Sequence, residues 1–391
     1  MKIVDIQCFP LRTDLSRAIG FSQWYYNAKN NFVLKVVCDD GTVGWGECYG
    51  PNLAIAASVE HHFKPLLIGK DPLQNEVLWN FMWRAYCDFN RYGIFMAAIS
   101  GIDIALWDIK GKALNAPVRV LLGGSSEPVP CYATGMYYRD DKPEAEMLAE
   151  LLDEAATYVD AGYTFLKVKV GKNLEFDKEL IAQFRNRFPK TKIAADSNHA
   201  YNYKEAIAIG KVLEANDYCW FEEPLSPENY ADMARLRKVL SVPIAAGECE
   251  QTRYGFERFV SARSIDIFQP DIAYCGGITE FQKINALASA AHADIVPHCW
   301  GLKINQAVAA SAISMIPENP GRFERRPVFL EVDQTEHPIR DTIFSTAHDV
   351  IDGKLYFNDL PGLGVDIDES AMEPLVIDPS VRDSTSFTAV E

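Results

Sequence analysis

Eight short apolar runs recur between residues 130 and 333, at 130–135, 165–170, 192–196, 218–222, 243–248, 265–271, 294–298 and 327–331, each followed by an amphipathic stretch. Strand and helix in alternation imply parallel pairing, because every strand returns to the same edge through a crossover helix. Eight such units suit a closed barrel. An open doubly wound sheet would use fewer strands and carry a glycine-rich phosphate turn, and neither a G-x-G-x-x-G nor a Walker sequence occurs. The expected fold class is therefore α/β.

A chain of 391 residues is long enough for two domains. Residues 2–8 and 32–48 read as antiparallel strands, the latter turned at Asp39-Asp40-Gly41-Thr42. Helical periodicity follows at 53–66, 73–87 and 95–113 and stops at Gly123-Gly124. This predicts an N-terminal α+β domain over 1–125, ahead of a barrel over 126–350.

In barrels the chemistry sits at the C-terminal ends of the strands. Asp196 ends KIAAD, Glu222 ends CWFE and Glu248 ends PIAAGE, so three consecutive strands each deliver a carboxylate. Asp196 alone would read equally well as a helix N-cap. Glu is a poor N-cap, and three neighbouring carboxylates repel unless a cation lies among them; hard oxygen donors point to Mg²⁺. In Phe165–Val170, strand alternation sends Lys167 and Lys169 to one face and Leu166, Val168 and Val170 to the other. If the apolar set faces the helices, two ammonium groups enter the barrel mouth. A cation nearby would then lower the pKa of the lysine closer to substrate, making it a base near neutral pH. Asp271 closes IDIFQPD and His298 closes DIVPH, a spacing that lets a carboxylate orient an imidazole. Glu331, ending PVFLE, would donate a hydrogen bond if burial keeps it protonated, or accept one from a lysine.

These residues, in this order, resemble the enolase superfamily, and within it the mandelate racemase subgroup. The muconate cycloisomerase subgroup would have a lysine where this chain has Asp271. The stretches Gly101–Asp108, Tyr132–Gly135, Cys275-Gly276-Gly277 and His298-Cys299-Trp300-Gly301 are similar to galactarolactone cycloisomerases and sugar-acid dehydratases. The resemblance implies a modified TIM barrel, (β/α)7β, beneath an N-terminal capping domain, with residues 351–391 returning to the cap. It also implies Lys169 and His298 as acid and base on opposite faces of the substrate, Lys167 and Asp271 in support, and Glu331 on the enolate oxygen. Asn198 would touch substrate. Two capping loops, near 15–30 and 48–53, would select it, with Trp24, Tyr25 and Tyr49, joined by Trp300, as candidate contacts. Phe21, Trp24 and Tyr25 could equally pack cap onto barrel. The implied reaction is removal of a proton α to a carboxylate, followed by dehydration of a sugar acid; the alternatives are cycloisomerisation of a lactone, or racemisation or epimerisation of a 2-hydroxy acid.

A formal charge of −16 argues against nucleic acid or anionic membrane as a partner, though not against a small anion held by local cations. Nine cysteines, mostly within apolar runs and without CxxC spacing, read as reduced thiols. The N-terminal stretch carries Asp5 and lacks a basic flank with an apolar segment, and no long uncharged apolar run follows. The expectation is a cytoplasmic enzyme, a homo-oligomer by resemblance.

Overall fold

The computed structural model describes residues 1–89, 91–139, 141–316, 326–377 and 388–389. The first layer is built on two long antiparallel strands, β1 (Ile3–Gly20) and β2 (Trp24–Cys38), with β3 (Val43–Cys48) on the far edge of β2. The resemblance implies a capping loop near 15–30; the structure instead carries both strands almost to its tip. A register break between Asp14 and Ile19 lets the pairing continue there, and only 21–23 remain as the turn.

Helices α1 (Asn52–Ser58), α2 (Lys64–Leu67), α3 (Asn75–Tyr86), α4 (Ile94–Ala113) and α5 (Val118–Leu121) follow, with a π turn at Val59–Phe63 joining the first two. The central helix α4 is buried over most of its length. It lies directly on β3 because Gly44 and Gly46 present no side chain: a Cβ on either would sit 2.2 Å from the Ala105 carbonyl oxygen or 2.0 Å from that of Gly101. Strand alternation then turns Trp45 and Glu47 the opposite way, toward the second layer.

That layer is the barrel. Strands β4 (Val129–Thr134), β5 (Phe165–Lys169), β6 (Lys192–Asp196), β7 (Phe221–Glu222), β8 (Ile244–Ala246), β9 (Ile267–Phe268) and β10 (Asp294–Ile295) pair in sequence and in parallel, and β11 (Leu330–Asp333) pairs with β4. Helices α6 (Glu144–Asp160), α7 (Leu174–Arg187), α8 (Tyr203–Ala215), α9 (Tyr230–Val239), α10 (Thr252–Ala262), α11 (Gly277–Ala290) and α12 (Lys303–Ile313) fill the connections. Tyr132, Phe165, Ala194, Trp220, Ala245 and Ile267 form a separate buried cluster, one residue from each of six successive strand segments, while Leu166, Val168 and Val170 join the large core shared with the helices. The barrel is thus plugged by side chains below the level where its chemistry lies.

Several strands are shorter than the sequence suggests. Glu248, Asp271 and His298 lie beyond the last paired residues of β8, β9 and β10, and Glu331 is the second residue of β11 rather than its end.

The C-terminal part touches both layers. It comprises α13 (Pro338–Thr342), β12 (Phe344–Thr346), β13 (Asp349–Ile351), β14 (Lys354–Tyr356), β15 (Asp366–Ile367), α14 (Glu369–Met372) and the short strand β16 (Thr388–Ala389). The β13–β14 hairpin pairs with the start of β4, whereas Val376 bridges Leu11 and the Ile377 N–H donates to the Pro10 carbonyl. All nine cysteines are free thiols. Among the described residues no helix is long and apolar enough to cross a membrane.

Candidate active site

Register places the charged side chains at one level: Lys169 is paired with Asp196, and Asp196 with Glu222. Because β5 alternates, Phe165 plugs the barrel, Lys167 stands above it and Lys169 above that. Lys167 is 1% exposed, and its Nζ lies 2.8 Å from Glu222 Oε1, 2.7 Å from Glu331 Oε1 and 3.6 Å from Asp196 Oδ2. Lys169 Nζ is 2.5 Å from Asp196 Oδ2 and 2.8 Å from Asn198 Oδ1.

Asp196, Glu222 and Glu248 are buried, and each offers an oxygen within 4.8 Å of the others. The second oxygen of Glu222 accepts from Trp220 Nε1 and Gln269 Nε2, both at 2.8 Å, which fixes the orientation of its carboxylate. Burial drives Glu222 up to about 7, helped by Asp196 and Glu248 and opposed by Lys167. Asp196 suffers the same desolvation, but the ammonium groups of Lys169 and Lys167 outweigh it and hold the carboxyl below its ordinary value.

At the other end of the trio, His298 Nδ1 is 2.6 Å from Asp271 Oδ2, and Nε2 is 3.5 Å from Glu248 Oε2. Burial disfavours the imidazolium, yet Glu248, Asp271 and Glu331 together lift its pKa to about 10. Asp271 is itself held by the Ala273 N–H at 2.8 Å. Glu331 accepts from Thr134 Oγ1 at 2.6 Å and from the Cys299 N–H at 3.0 Å. Its desolvation is overcome by Lys167 and His298, and its pKa falls well below the ordinary range. Of the two roles open to Glu331 from sequence, this geometry fits the acceptor of a lysine and not a protonated donor.

Five carboxyl groups, of Asp196, Glu222, Glu248, Asp271 and Glu331, thus surround three cationic side chains, Lys167, Lys169 and protonated His298. Excess negative charge at this depth calls for a cation. An all-carboxylate donor set, buried and converging, fits a hard divalent ion of the Mg²⁺ type.

A cavity of about 600 Å³ opens between the two layers and reaches this cluster at Glu248. Trp24, Tyr26, Tyr49 and Trp300 line it. Tyr25 does not: alternation along β2 turns it away, and its ring packs over Gly20 and against the large core. Asn198 accepts from Lys169 Nζ through Oδ1, while its Nδ2 lies 3.5 Å from Glu223 Oε2 and from Glu248 Oε1; its backbone is left-handed at φ 40°, and its N–H donates to Asp196 Oδ1 at 3.1 Å.

Sequence reasoning missed several polar residues of the wall, among them Lys29, Glu47, Asp333 and His337. Lys29 Nζ is 3.1 Å from Asp333 Oδ2, 2.9 Å from Thr335 Oγ1 and 4.1 Å from the centre of the Trp300 ring. His337 stands nearby; burial and Lys29 push its pKa down to about 3, so it is a neutral imidazole. Glu47 reaches from β3 to the start of α12 and accepts from the Leu302 N–H at 2.7 Å and the Asn305 N–H at 2.9 Å. For Lys29 and Asp333 no sequence signal exists, since their pairing is purely tertiary. Glu47 had one: it follows two glycines at alternate positions of an edge strand.

Residues 150–371 match the model described as Enolase C-terminal domain-like, and residues 21–123 match the Mandelate racemase / muconate lactonizing enzyme, N-terminal domain. A D-galactarolactone cycloisomerase of Agrobacterium fabrum is 36% identical over 95% of this chain and 98% of its own length. An arabinonate dehydratase of Saccharolobus solfataricus is 37% identical over 87% and 88%. In three dimensions the chain superposes on the 3,6-anhydro-D-galactonate cycloisomerase of Zobellia galactanivorans with a TM-score of 0.87 at 39% identity, covering 97% of this chain and 100% of the other. A magnesium-bound racemase of Streptomyces coelicolor aligns with a TM-score of 0.85 at 26% identity, over 96% and 100%. A carboxylate trio at the mouth of a capped barrel, together with matches across both layers, places this chain in the mandelate racemase/muconate lactonizing enzyme family of the enolase superfamily.

Proposed function

We propose that this enzyme is an acid-sugar dehydratase, which removes the proton α to the substrate carboxylate and then expels the β-hydroxyl as water. One observation carries the reading: Lys169 and His298 stand at opposite ends of the carboxylate trio, and Asp271 at 2.6 Å favours the charged imidazole. Elimination of an oxygen leaving group needs a base at carbon and an acid at oxygen, and this pair supplies both.

In this mechanism the Lys169 amine takes the α-proton. The C–H electron pair enters the enediolate and then forms the C=C bond as the β C–O bond breaks, while His298 gives its proton to the departing hydroxyl. The enol so formed tautomerises to a 2-keto-3-deoxy acid. Lys167, buried between Glu222 and Glu331, keeps a positive charge under the substrate carboxylate. The trio would hold Mg²⁺, whose charge, when bound, opposes the second negative charge that develops on that carboxylate; the magnesium-bound relative supports this choice of ion. The walls supplied by Trp24, Tyr49, Trp300 and the Lys29–Asp333 pair suit a polyhydroxylated chain, with rings to pack on its carbons and polar groups for its hydroxyls.

A second reading keeps the first step and changes the leaving group to a ring or lactone oxygen. It is favoured by the two cycloisomerases that match over nearly their whole lengths. Incubating the protein with Mg²⁺ and a panel of aldonic, aldaric and anhydro-aldonic acids and lactones in D₂O separates them. A product one water lighter that forms a semicarbazone supports dehydration; an isomer of unchanged composition supports cycloisomerisation. Lys169→Ala and His298→Asn should each lower turnover by about 10²- to 10⁴-fold. Full activity in both variants would remove the acid–base assignment.

A further inference from the structure

Three residues each lie just past a trio-bearing strand end and hold no role assigned above, although Cys249 also lines the large cavity: His199, Glu223 and Cys249. Their ligand atoms converge to within 4.8 Å of one another. His199 Nε2 is 3.1 Å from Glu223 Oε2 and 3.6 Å from Cys249 Sγ. A tetrahedral Zn²⁺ with bonds of about 2.0–2.1 Å to nitrogen, about 2.0–2.2 Å to oxygen and about 2.3 Å to sulfur has N···O and N···S edges of roughly 3.3 and 3.6 Å. The N···S separation is that of such a site, and the N···O separation of 3.1 Å is slightly shorter.

Two further features point the same way. His199 Nδ1 is 3.3 Å from the Leu225 carbonyl oxygen, so the N–H belongs on Nδ1 and the Nε2 lone pair is directed at a carboxylate and a thiol. At 3.1 Å either a proton or a metal lies between Nε2 and the Glu223 oxygen, and a backbone carbonyl on the other ring nitrogen is the arrangement that orients metal-bound histidines. A cavity of about 20 Å³, lined by these three residues together with mostly apolar neighbours such as Leu225, Met233 and Phe259, is large enough for one ion or water. Their backbone is also unusual, with left-handed His199 at φ 67° and Glu223 at φ 43°. Such conformations persist where the surroundings hold them in place.

We propose that His199, Glu223 and Cys249 form a second metal site, selective for Zn²⁺ or another thiophilic divalent cation, with a solvent molecule as fourth ligand. Binding releases the thiol proton of Cys249 to solvent. The two centres divide ions by chemistry, the all-oxygen trio taking the hard cation and the N/O/S set the softer one. Two arrangements would make the metal unnecessary: a neutral Glu223 carboxyl, which burial favours, donating to His199 Nε2, or an imidazolium–carboxylate pair of the same two groups.

The test uses the intact protein saturated with Mg²⁺ and titrated with Co²⁺ or Zn²⁺. One additional equivalent of metal retained after gel filtration is expected, and the cobalt form should show a near-ultraviolet thiolate-to-metal band. Cys249→Ser should lose the band, and His199→Gln should weaken retention at least tenfold. In the unmodified protein, Zn²⁺ should slow alkylation of Cys249 at least tenfold, read by peptide mass, which serves even if a variant folds poorly. Absence of the band with an unchanged alkylation rate, or a band that survives in Cys249→Ser, overturns the site and leaves a metal-free pair. Neither result depends on which reaction the first centre catalyses.

Discussion

At the scale of single residues, the site is governed by Lys167. One ammonium group offsets two directly contacting carboxylates and part of a third at a depth where water contributes little screening. Replacing it with methionine keeps the stem and removes the charge, so Glu222 and Glu331 are left facing each other unpaired. Breaking a buried pair in this way costs about 3–5 kcal/mol. Lys167→Met should lower the free energy of unfolding of the metal-free protein by that order in urea titration. A loss under about 1 kcal/mol would mean the carboxylates have another source of compensation.

At the scale of elements, the cap is joined to the barrel by close approach and by a buried acid. Gly46 lies so near the Gly101 carbonyl oxygen that an added methyl must push β3 off α4. Gly46→Ala should cost about 3 kcal/mol, the upper end for overpacking, seen as a lowered Tm. Glu47, on the same strand, ties β3 to the N-terminus of α12. Burial raises its folded pKa to about 8 from an ordinary 4.5, against the pull of the Leu302 and Asn305 donors. Between those values the folded state binds more protons than the unfolded one, so this group makes stability fall as pH rises from about 4.5 to 8, with no further loss above. Glu47→Gln should flatten the decline of Tm across that window. An unchanged slope in the variant would show that other groups, such as Asp103, pushed by burial to about 7, carry the dependence.

Across the whole molecule, the concentration of negative charge makes the barrel mouth a place where a cation and the fold stabilise one another. If the trio binds Mg²⁺ only in the folded state, Mg²⁺ at a hundred times its Kd should stabilise the protein by about 2.7 kcal/mol. Asp196→Asn should abolish most of that gain while removing some repulsion in the metal-free form. A Tm insensitive to Mg²⁺ in the unmodified protein would speak against a preformed hard-cation site. The same scale explains the connectivity of the C-terminal part, which seals the foot of the barrel through β14 and meets the cap through Val376.

Much of this architecture was legible in the sequence, because strand alternation and the placement of ionisable groups after apolar runs are local patterns. The Lys167/Lys169 face, the three carboxylates and the Asp271–His298 pair each follow from a period of two or from position at a strand end. What exceeded local pattern went unread. The hairpin of β1 and β2 runs through the stretch that the resemblance makes a capping loop, because its strands pair almost to the tip. Tyr25 was separated from its neighbours Trp24 and Tyr26 only by which face of β2 met the cavity. Lys29 with Asp333, Glu47 with α12, and His199 with Glu223 and Cys249 join residues from distant parts of the chain. The sequence by itself determined which chemical groups each strand would present, since side-chain direction is a property of the local backbone; the tertiary structure alone decided which of them share a hydrogen bond, a cation or a cavity wall, since those depend on how separate strands and the cap come together.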